Sequence, residues 1–118
     1  MDTVKVQQIA KTMRREILDI SLACGKSVHM GGALSMIEIL ATLYSSVLKY
    51  DKNNPTWIDR DRFILSKGHG ALGFYTALLV SGIISREVYE TYQINESNLT
   101  THPVMNLPLG IESSNGSL

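Results

Sequence analysis

Three histidines in short loops are the residues of this sequence best suited to chemistry. His29 lies in SVHMGG, His69 in SKGHG and His102 in TTHP. A neutral imidazole both donates and accepts hydrogen bonds, so such a residue can hold a polar ligand or move a proton. A lone histidine in a loop is more often solvated or bonded to a nearby carbonyl, so local context alone leaves a functional and a structural interpretation open for each.

The surroundings of His69 favour a ligand site. The apolar run FIL at 63–65 is typical of a buried strand, and SKGHG joins it to an apolar segment of helical character. Open parallel sheets bind ligands at such strand-to-helix turns, where the positive end of the helix favours a phosphate that His69 could contact. The glycines beside His69 could equally serve only to let the helix pack closely on the strand.

The other two histidines lie beside residues that shape the backbone. Gly31 and Gly32 follow His29 and precede a predicted helix, where flexible backbone and free N–H groups can approach a polar ligand. Pro103 restricts His102 to an extended conformation and stiffens its loop. Each loop is therefore able to present its histidine to a bound molecule.

Other common uses of these residue types are disfavoured. The histidines are too far apart in the sequence for a short zinc-ligand motif, and the single cysteine, Cys24, is interpreted as a small buried residue. GHGALG lacks the glycine spacing of a dinucleotide-binding fingerprint, and the sequence contains no P-loop motif. We assign no metal ligand within the chain.

Hydrophobic periodicity predicts an amphipathic helix over roughly the first twenty residues. Its apolar face consists of Ile9, Met13, Ile17 and Ile20. A second helix is predicted from Met36 to Leu48, because Ser35 and Glu38 have the spacing of a capping box. Leu34 and Ile39 would form a hydrophobic staple around that cap.

The second half of the chain is predicted to contain two further helices and an irregular tail. A third helix follows His69 and ends near Gly82, and a fourth is capped by Ser85 and runs through Tyr92. From Ile94 onward the periodicity disappears and prolines and glycines are frequent, which predicts irregular connecting chain.

Composition and the set of predicted elements limit the class of protein. Eleven basic and eleven acidic residues leave no net charge, which excludes the basic surface expected for binding nucleic acid or an anionic membrane. The sequence shows neither a signal peptide nor a membrane-spanning run, so we expect a cytoplasmic protein. A single buried strand lacks the neighbours that a parallel sheet requires, which predicts the N-terminal portion of a longer α/β protein. A small helical domain with a loose tail remains the alternative.

Three blocks of the sequence resemble one enzyme family in order and spacing. They are HMGGALSMIEILATLY, DRDRFILSKGHGALGFYTALLVSGII and HPVMNLPLGIESSNGSL. From about residue 5 to its last residue the chain resembles the N-terminal cofactor domain of transketolases, especially those encoded as separate N-terminal and C-terminal subunits. The resemblance implies an α/β thiamine diphosphate-binding fold, with a parallel sheet flanked by helices. Residues 1–118 would be the incomplete, helix-rich N-terminal part of that domain.

The resemblance also implies an activity. Transketolases transfer a two-carbon ketol unit from a ketose phosphate to an aldose phosphate, with thiamine diphosphate and magnesium as cofactors. The magnesium ligands are expected beyond residue 118, and the glutamate that activates the cofactor is expected in a C-terminal domain or subunit. Sugar phosphate substrates, that C-terminal partner, and a homodimer or two-subunit assembly follow from the same resemblance. Deoxyxylulose phosphate synthases share the cofactor and fold, but SKGHGA is more similar to transketolase.

Particular residues take family roles by position. His69 resembles the histidine that reaches the cofactor diphosphate, whereas His29 and His102 resemble those that hold the sugar oxygens and assist proton transfer. Gly116 and Leu118 match the segment whose backbone and apolar side chain lie against the cofactor.

Some positions depart from the family pattern. Val28 stands where the family usually has glycine, and a β-branched residue is strained at positive φ, so His29 would be displaced if the family glycine adopts that conformation. Ser113 and Asn115 are milder departures within a loop. Because metal ligands and the glutamate are expected elsewhere, the chain alone is expected to be inactive, with feeble cofactor binding. The alternatives are an inactive truncated fragment and a helical interaction domain without catalysis.

Overall fold

The computed structural model describes residues 1–24, 30–92, 94 and 97–114. Helix α1 spans Thr3–Cys24, α2 spans Met30–Leu34, and α3 spans Ile37–Thr42 and continues into a π-helical turn at Leu43–Val47. A 3-10 turn at Gly68–Gly70 leads into α4 at Ala71–Val80, and α5 follows at Arg86–Tyr89. A second 3-10 turn, Leu107–Leu109, lies in the C-terminal segment.

Helix α1 confirms the first predicted helix. The Asp2 carboxylate accepts a hydrogen bond from the Lys5 backbone N–H at 3.2 Å, which satisfies one of the donors left free at the start of a helix. Met13, Ile17 and Ile20 are buried, because the apolar face packs against α3 and α4. The charged residues between them remain on the solvent side, as the periodicity predicts.

Helix α4 lies at the centre of the described fold. Every residue from 71 to 78 is buried, because α1, α2, α3 and α5 all pack against this helix. A helix that is apolar all round requires such an environment. Gly82 follows with a φ of 84°, and the Ile83 N–H donates to the Leu78 carbonyl at 3.0 Å, a bond typical of a glycine-terminated helix. The predicted third helix is therefore confirmed.

The two predicted serine caps have opposite outcomes. Ser85 caps α5 as predicted, and its Oγ accepts a hydrogen bond from the Val88 N–H at 3.2 Å, although that helix ends at Tyr89 rather than Tyr92. The capping box at Ser35 and Glu38 is wrong: the Ser35 N–H already donates to the Gly31 carbonyl in the last turn of α2. Its hydroxyl donates to the Gly32 carbonyl at 3.1 Å, and α3 has no side-chain cap.

The second predicted helix is also shorter and less regular than predicted. Met36 occupies the N-cap of α3 without any side-chain cap, and the α-helical part ends at Thr42. Ile39 is 61% exposed, so the predicted staple with Leu34 is wrong. The α2 and α3 helices are joined by a turn at 35–36, so a helix does begin close to the predicted position, at Ile37, but without the predicted serine cap.

Residues 63–65 form no sheet ladder within the described ranges. Leu65 is buried and Ile64 is exposed, while the Phe63 ring packs against Tyr44 and Phe74 with centroids 5.9 and 5.4 Å apart. A strand needs a neighbour to accept and donate its backbone hydrogen bonds. Since no described segment provides a neighbour, the predicted parallel sheet stays unconfirmed.

The C-terminal segment is irregular, as predicted, yet it is packed firmly. Leu99 and Ile111 are buried in the core. The Arg60 guanidinium donates two hydrogen bonds of 2.8 Å to the Glu112 carboxylate, and the pair is nearly enclosed. These hydrogen bonds raise the pKa of the Arg60 guanidinium above its ordinary value. Within the described residues no helix is long and apolar enough to cross a membrane.

Candidate functional site

The structure brings together two of the three candidate histidines. The His69 and His102 rings lie with centroids 5.1 Å apart and planes inclined by 81°. His69 belongs to the 3-10 turn that begins α4, whereas His102 belongs to the irregular C-terminal segment. Two distant parts of the sequence therefore meet at the N-terminal end of one buried helix.

Close backbone packing holds the His69 turn. The Gly70 N–H donates to the Lys67 carbonyl at 2.9 Å. A Cβ at Gly70 would lie 2.3 Å from Met36 Cε, and one at Gly32 would lie 3.2 Å from the His69 carbonyl oxygen. These two glycines therefore allow the turn to contact α2 and α3, which supports the packing interpretation for Gly70.

Gly31 differs from its neighbour Gly32. Among the described residues, apart from its chain neighbours and the backbone of its own helix, no atom lies within 4 Å of the position that a Cβ on Gly31 would occupy. Packing among the described residues gives no reason for a glycine here, and the exposed backbone is open to a bound molecule. The prediction that this glycine pair leaves room for a ligand therefore remains reasonable for Gly31.

His102 is held through its backbone, and its ring carries an unsatisfied atom. The Thr100 Oγ1 donates a hydrogen bond of 2.7 Å to the His102 carbonyl, and the Tyr75 hydroxyl donates one of 2.7 Å to the Thr100 carbonyl. The His102 Nε2 is buried, and no described group forms a hydrogen bond with it. Since a buried polar atom without a partner costs free energy, this atom suits a ligand that supplies the missing partner.

A cation lies next to the His69 turn. Lys67 is exposed, and its Nζ donates a hydrogen bond of 2.8 Å to the Ser35 Oγ. A positive charge two residues from His69 favours an anionic ligand near the turn. The contacts of Lys67 with Ser35 and of Tyr75 with Thr100 leave no local pattern in the sequence, because they join residues 32 and 25 positions apart.

The remaining candidates cannot be placed. His29, Gly116 and Leu118 lie outside the described residues, as do Val28 and Asn115. In the parts of the chain that the structure describes, no group of three or more His, Cys, Asp or Glu side chains is arranged to hold a metal ion. The described half of the site therefore consists of two histidines, a lysine and the glycine turns.

Comparisons with known proteins agree with the resemblance in the sequence. The family model described as transketolase, thiamine diphosphate binding domain, matches residues 5–118. A 6-deoxy-6-sulfo-D-fructose transketolase subunit of Clostridium sp. (strain MSTE9) is 42% identical over 90 residues, which are 76% of this chain and 33% of that protein. An apulose-4-phosphate transketolase subunit of Actinobacillus succinogenes is 38% identical over 114 residues, 97% of this chain and 41% of that protein.

A solved structure supports the same conclusion at the level of the fold. Transketolase from Leishmania mexicana superposes with a TM-score of 0.86 and 32% sequence identity, over 96% of this chain and 17% of that chain. This likeness supports the thiamine diphosphate-binding fold, although the described residues form helices and irregular segments but no sheet. The chain spans less than half the length of the curated relatives it matches. The chain belongs to the transketolase family, and its residues 5–118 match the thiamine diphosphate-binding domain of that family.

Proposed function

We propose that the chain is the N-terminal part of a thiamine diphosphate-binding domain that serves a transketolase. The reaction is the transfer of a ketol unit from a ketose phosphate to an aldose phosphate, with magnesium as the second cofactor. The proposal assigns this reaction to an assembly that includes a C-terminal domain or subunit, in a homodimer or a two-subunit enzyme. It keeps the prediction of a cytoplasmic location.

The observation that carries this proposal is the contact between the His69 and His102 rings, together with a buried His102 Nε2 for which the described residues offer no hydrogen-bond partner. The two imidazoles come from separate segments that share no local pattern. Their meeting beside an open glycine and a lysine supports a site for an anionic, hydroxyl-bearing ligand. A core histidine with a purely structural role would be expected to have both ring nitrogens satisfied or solvated.

The proposed roles follow from the chemistry of these groups. His69, on the exposed turn at the start of α4, donates a hydrogen bond to the cofactor diphosphate, and Lys67 adds positive charge nearby. His102 offers its Nε2 to a hydroxyl or carbonyl oxygen of the sugar, where a neutral imidazole can accept or return a proton. His29 is proposed to act with His102 on the sugar.

The cofactor and the metal complete the proposal. Thiamine diphosphate supplies the electron sink for carbon–carbon bond cleavage, while the protein supplies position and hydrogen bonds. The backbone of Gly116 and the side chain of Leu118 are proposed to lie against the cofactor. The magnesium ligands are proposed to lie in sequence that follows residue 118, since magnesium prefers carboxylate and water oxygens beside the diphosphate.

A titration of the chain with thiamine diphosphate tests the cofactor assignment. Because the metal ligands are proposed to lie elsewhere, binding is expected to be weak, with a Kd of roughly 1 mM or above. The imidazole NMR signals of His69 and His102 are expected to shift during the titration, and His69→Gln is expected to weaken the binding further. Thiamine without the diphosphate is the matched control and is expected to leave His69 unaffected.

Two results would contradict different parts of this proposal. If the signals of both histidines stay unchanged at millimolar thiamine diphosphate, the cofactor assignment is wrong. If calorimetry shows tight, magnesium-dependent binding to residues 1–118, the expectation that the metal ligands lie beyond this chain is wrong. Neither result depends on measuring activity.

A further inference from the structure

Tyr75 links the two segments that carry the candidate histidines. It lies in α4 and its side chain is fully buried. Its hydroxyl donates a hydrogen bond of 2.7 Å to the Thr100 carbonyl, across 25 positions of the sequence. Burial raises the pKa of the Tyr75 phenol above its ordinary value, so the hydroxyl remains protonated and able to donate at neutral pH.

The segment that receives this bond has no regular secondary structure near His102. Residues 97–105 form no helix or bridge. On one side Leu99 is buried in the core, and on the other Pro103 is buried. Between these two anchors, Thr100 is exposed, and the bond from Tyr75 ties its carbonyl to the buried helix α4. The bond from Tyr75 therefore fixes the middle of a short span.

The held carbonyl is connected directly to His102. The Thr100 Oγ1 donates a hydrogen bond of 2.7 Å to the His102 carbonyl, so the position of Thr100 sets the position of the His102 backbone. The His102 ring then meets His69 edge to face. Because His69 precedes α4 directly and Tyr75 lies within α4, one helix controls the placement of both imidazoles.

We propose that Tyr75 is a positioning residue, whose hydroxyl holds the Thr100 carbonyl and so keeps His102 against His69. Its importance for catalysis rests on the proposed function above. The claim that Tyr75 keeps His102 against His69 does not rest on that function, because it concerns the ligand-free chain. Tyr75 has no assigned contact with cofactor or sugar in this proposal, and it acts only through the segment that carries His102.

The test compares two phenylalanine variants. Tyr75→Phe removes the hydroxyl and keeps the buried ring. Tyr89→Phe is the matched control, because Tyr89 is also buried and its hydroxyl is bonded to Thr76 of the same helix at 2.8 Å. Tyr89 makes no hydrogen bond to the segment of His102 that the structure describes. The two variants therefore remove the same group from similar environments, and only one of them removes a restraint on His102.

The readout is the nuclear Overhauser effect between ring protons of His69 and His102, measured on the ligand-free chain. His69→Gln and His102→Gln assign the signals. In Tyr75→Phe the cross-peak is expected to fall by roughly twofold or more and the His102 signal to broaden, because a released segment exchanges between several conformations on the μs–ms timescale. In Tyr89→Phe the cross-peak and the His102 linewidth are expected to match those of the unsubstituted chain, although the stability of this variant falls.

Either of two results would overturn the proposal. If the cross-peak and the linewidth in Tyr75→Phe match those of the unsubstituted chain, the anchors at Leu99 and Pro103 are enough to hold His102 in place. An equal loss in both variants would show general loosening of the core rather than positioning of His102. A second variant, Thr100→Val, removes the Thr100 hydroxyl at an exposed position and is expected to weaken the cross-peak less than Tyr75→Phe does; no weakening would contradict the proposed route through Thr100.

The two proposals can fail separately. If thiamine diphosphate leaves the histidine signals unchanged but the phenylalanine variants differ as expected, the proposed function is wrong and the positioning role stands. If the cofactor binds but the variants do not differ, the proposed function stands and the positioning role is wrong.

Discussion

The two histidines of the candidate site are held in place by different kinds of structure. His69 is part of a turn whose neighbours in sequence continue directly into the buried helix α4. His102 lies in a segment without helix or ladder, which is fixed by contacts to residues far away in the sequence. An irregular segment can thus be positioned by its backbone carbonyls and apolar side chains where these reach the core.

This difference decides which predictions from the sequence are confirmed. Helices α1 and α4 and the Ser85 cap follow from local patterns, and the structure confirms them. The Ser35 cap was also predicted from a local pattern, but the Ser35 N–H already donates to the Gly31 carbonyl in the last turn of α2. A pattern of a few residues cannot show that the backbone N–H of one of them already donates a hydrogen bond within the preceding helix.

The contacts of the C-terminal segment could not be predicted from the sequence. Tyr75 reaches Thr100 across 25 positions and Arg60 reaches Glu112 across 52, and neither pair belongs to a periodic pattern. The residues alone indicated three separate histidine loops, and only the resemblance to transketolase implied that the loops share a site. The meeting of His69 and His102 agrees with that implication.

Alkaline pH is expected to have the largest effect on the free energy of unfolding, because it acts on both regions at once. Burial raises the pKa of the phenols of Tyr44, Tyr75 and Tyr89 above their ordinary value of 10.0. In the unfolded chain these groups lose their protons near pH 10, while the folded chain keeps them protonated, so the free energy of unfolding falls as the pH rises further. Below pH 10 the contribution of these protonated phenols to the free energy of unfolding is fully present.

Urea unfolding followed by circular dichroism at several pH values between 8 and 12 checks this expectation. The free energy of unfolding should be similar at pH 8 and 9 and fall steeply above 10, with tyrosinate absorbance appearing together with unfolding. Tyrosinate absorbance that reaches its full value near pH 10 in the folded chain would contradict it.

Removing a buried leucine from each region is expected to have the next largest effect. Leu78 in α4 and Leu99 in the irregular segment are both 0% exposed. If the irregular segment is held as firmly as the helix, Leu78→Ala and Leu99→Ala should each lower the free energy of unfolding by about 2 to 5 kcal/mol. Thermal and urea denaturation measure both. If Leu99→Ala alone lowers the free energy of unfolding by less than about 1 kcal/mol, the irregular segment packs more loosely than the helix.

The smallest effect is expected from the two serines that the sequence predicts as caps. Ser85→Ala removes a hydrogen bond to the Val88 N–H and should cost about 1 kcal/mol. Ser35→Ala removes exposed bonds to the Gly32 carbonyl and Lys67, and its cost should stay within about 0.5 kcal/mol. The same denaturation measurements compare them, and equal costs would mean that Ser35 stabilises a helix start after all.

The burial of residues 71–78 of α4 has a consequence for hydrogen exchange. A helix enclosed by four others has no partial opening that exposes its amides without disrupting its neighbours, so its central amides should exchange only when the whole described fold opens. Both candidate histidines are tied to this slowest element, one by direct continuation and one through Tyr75. The site is therefore expected to persist until global unfolding, and a ligand held between the histidines would slow exchange throughout α4 rather than at its own contacts alone.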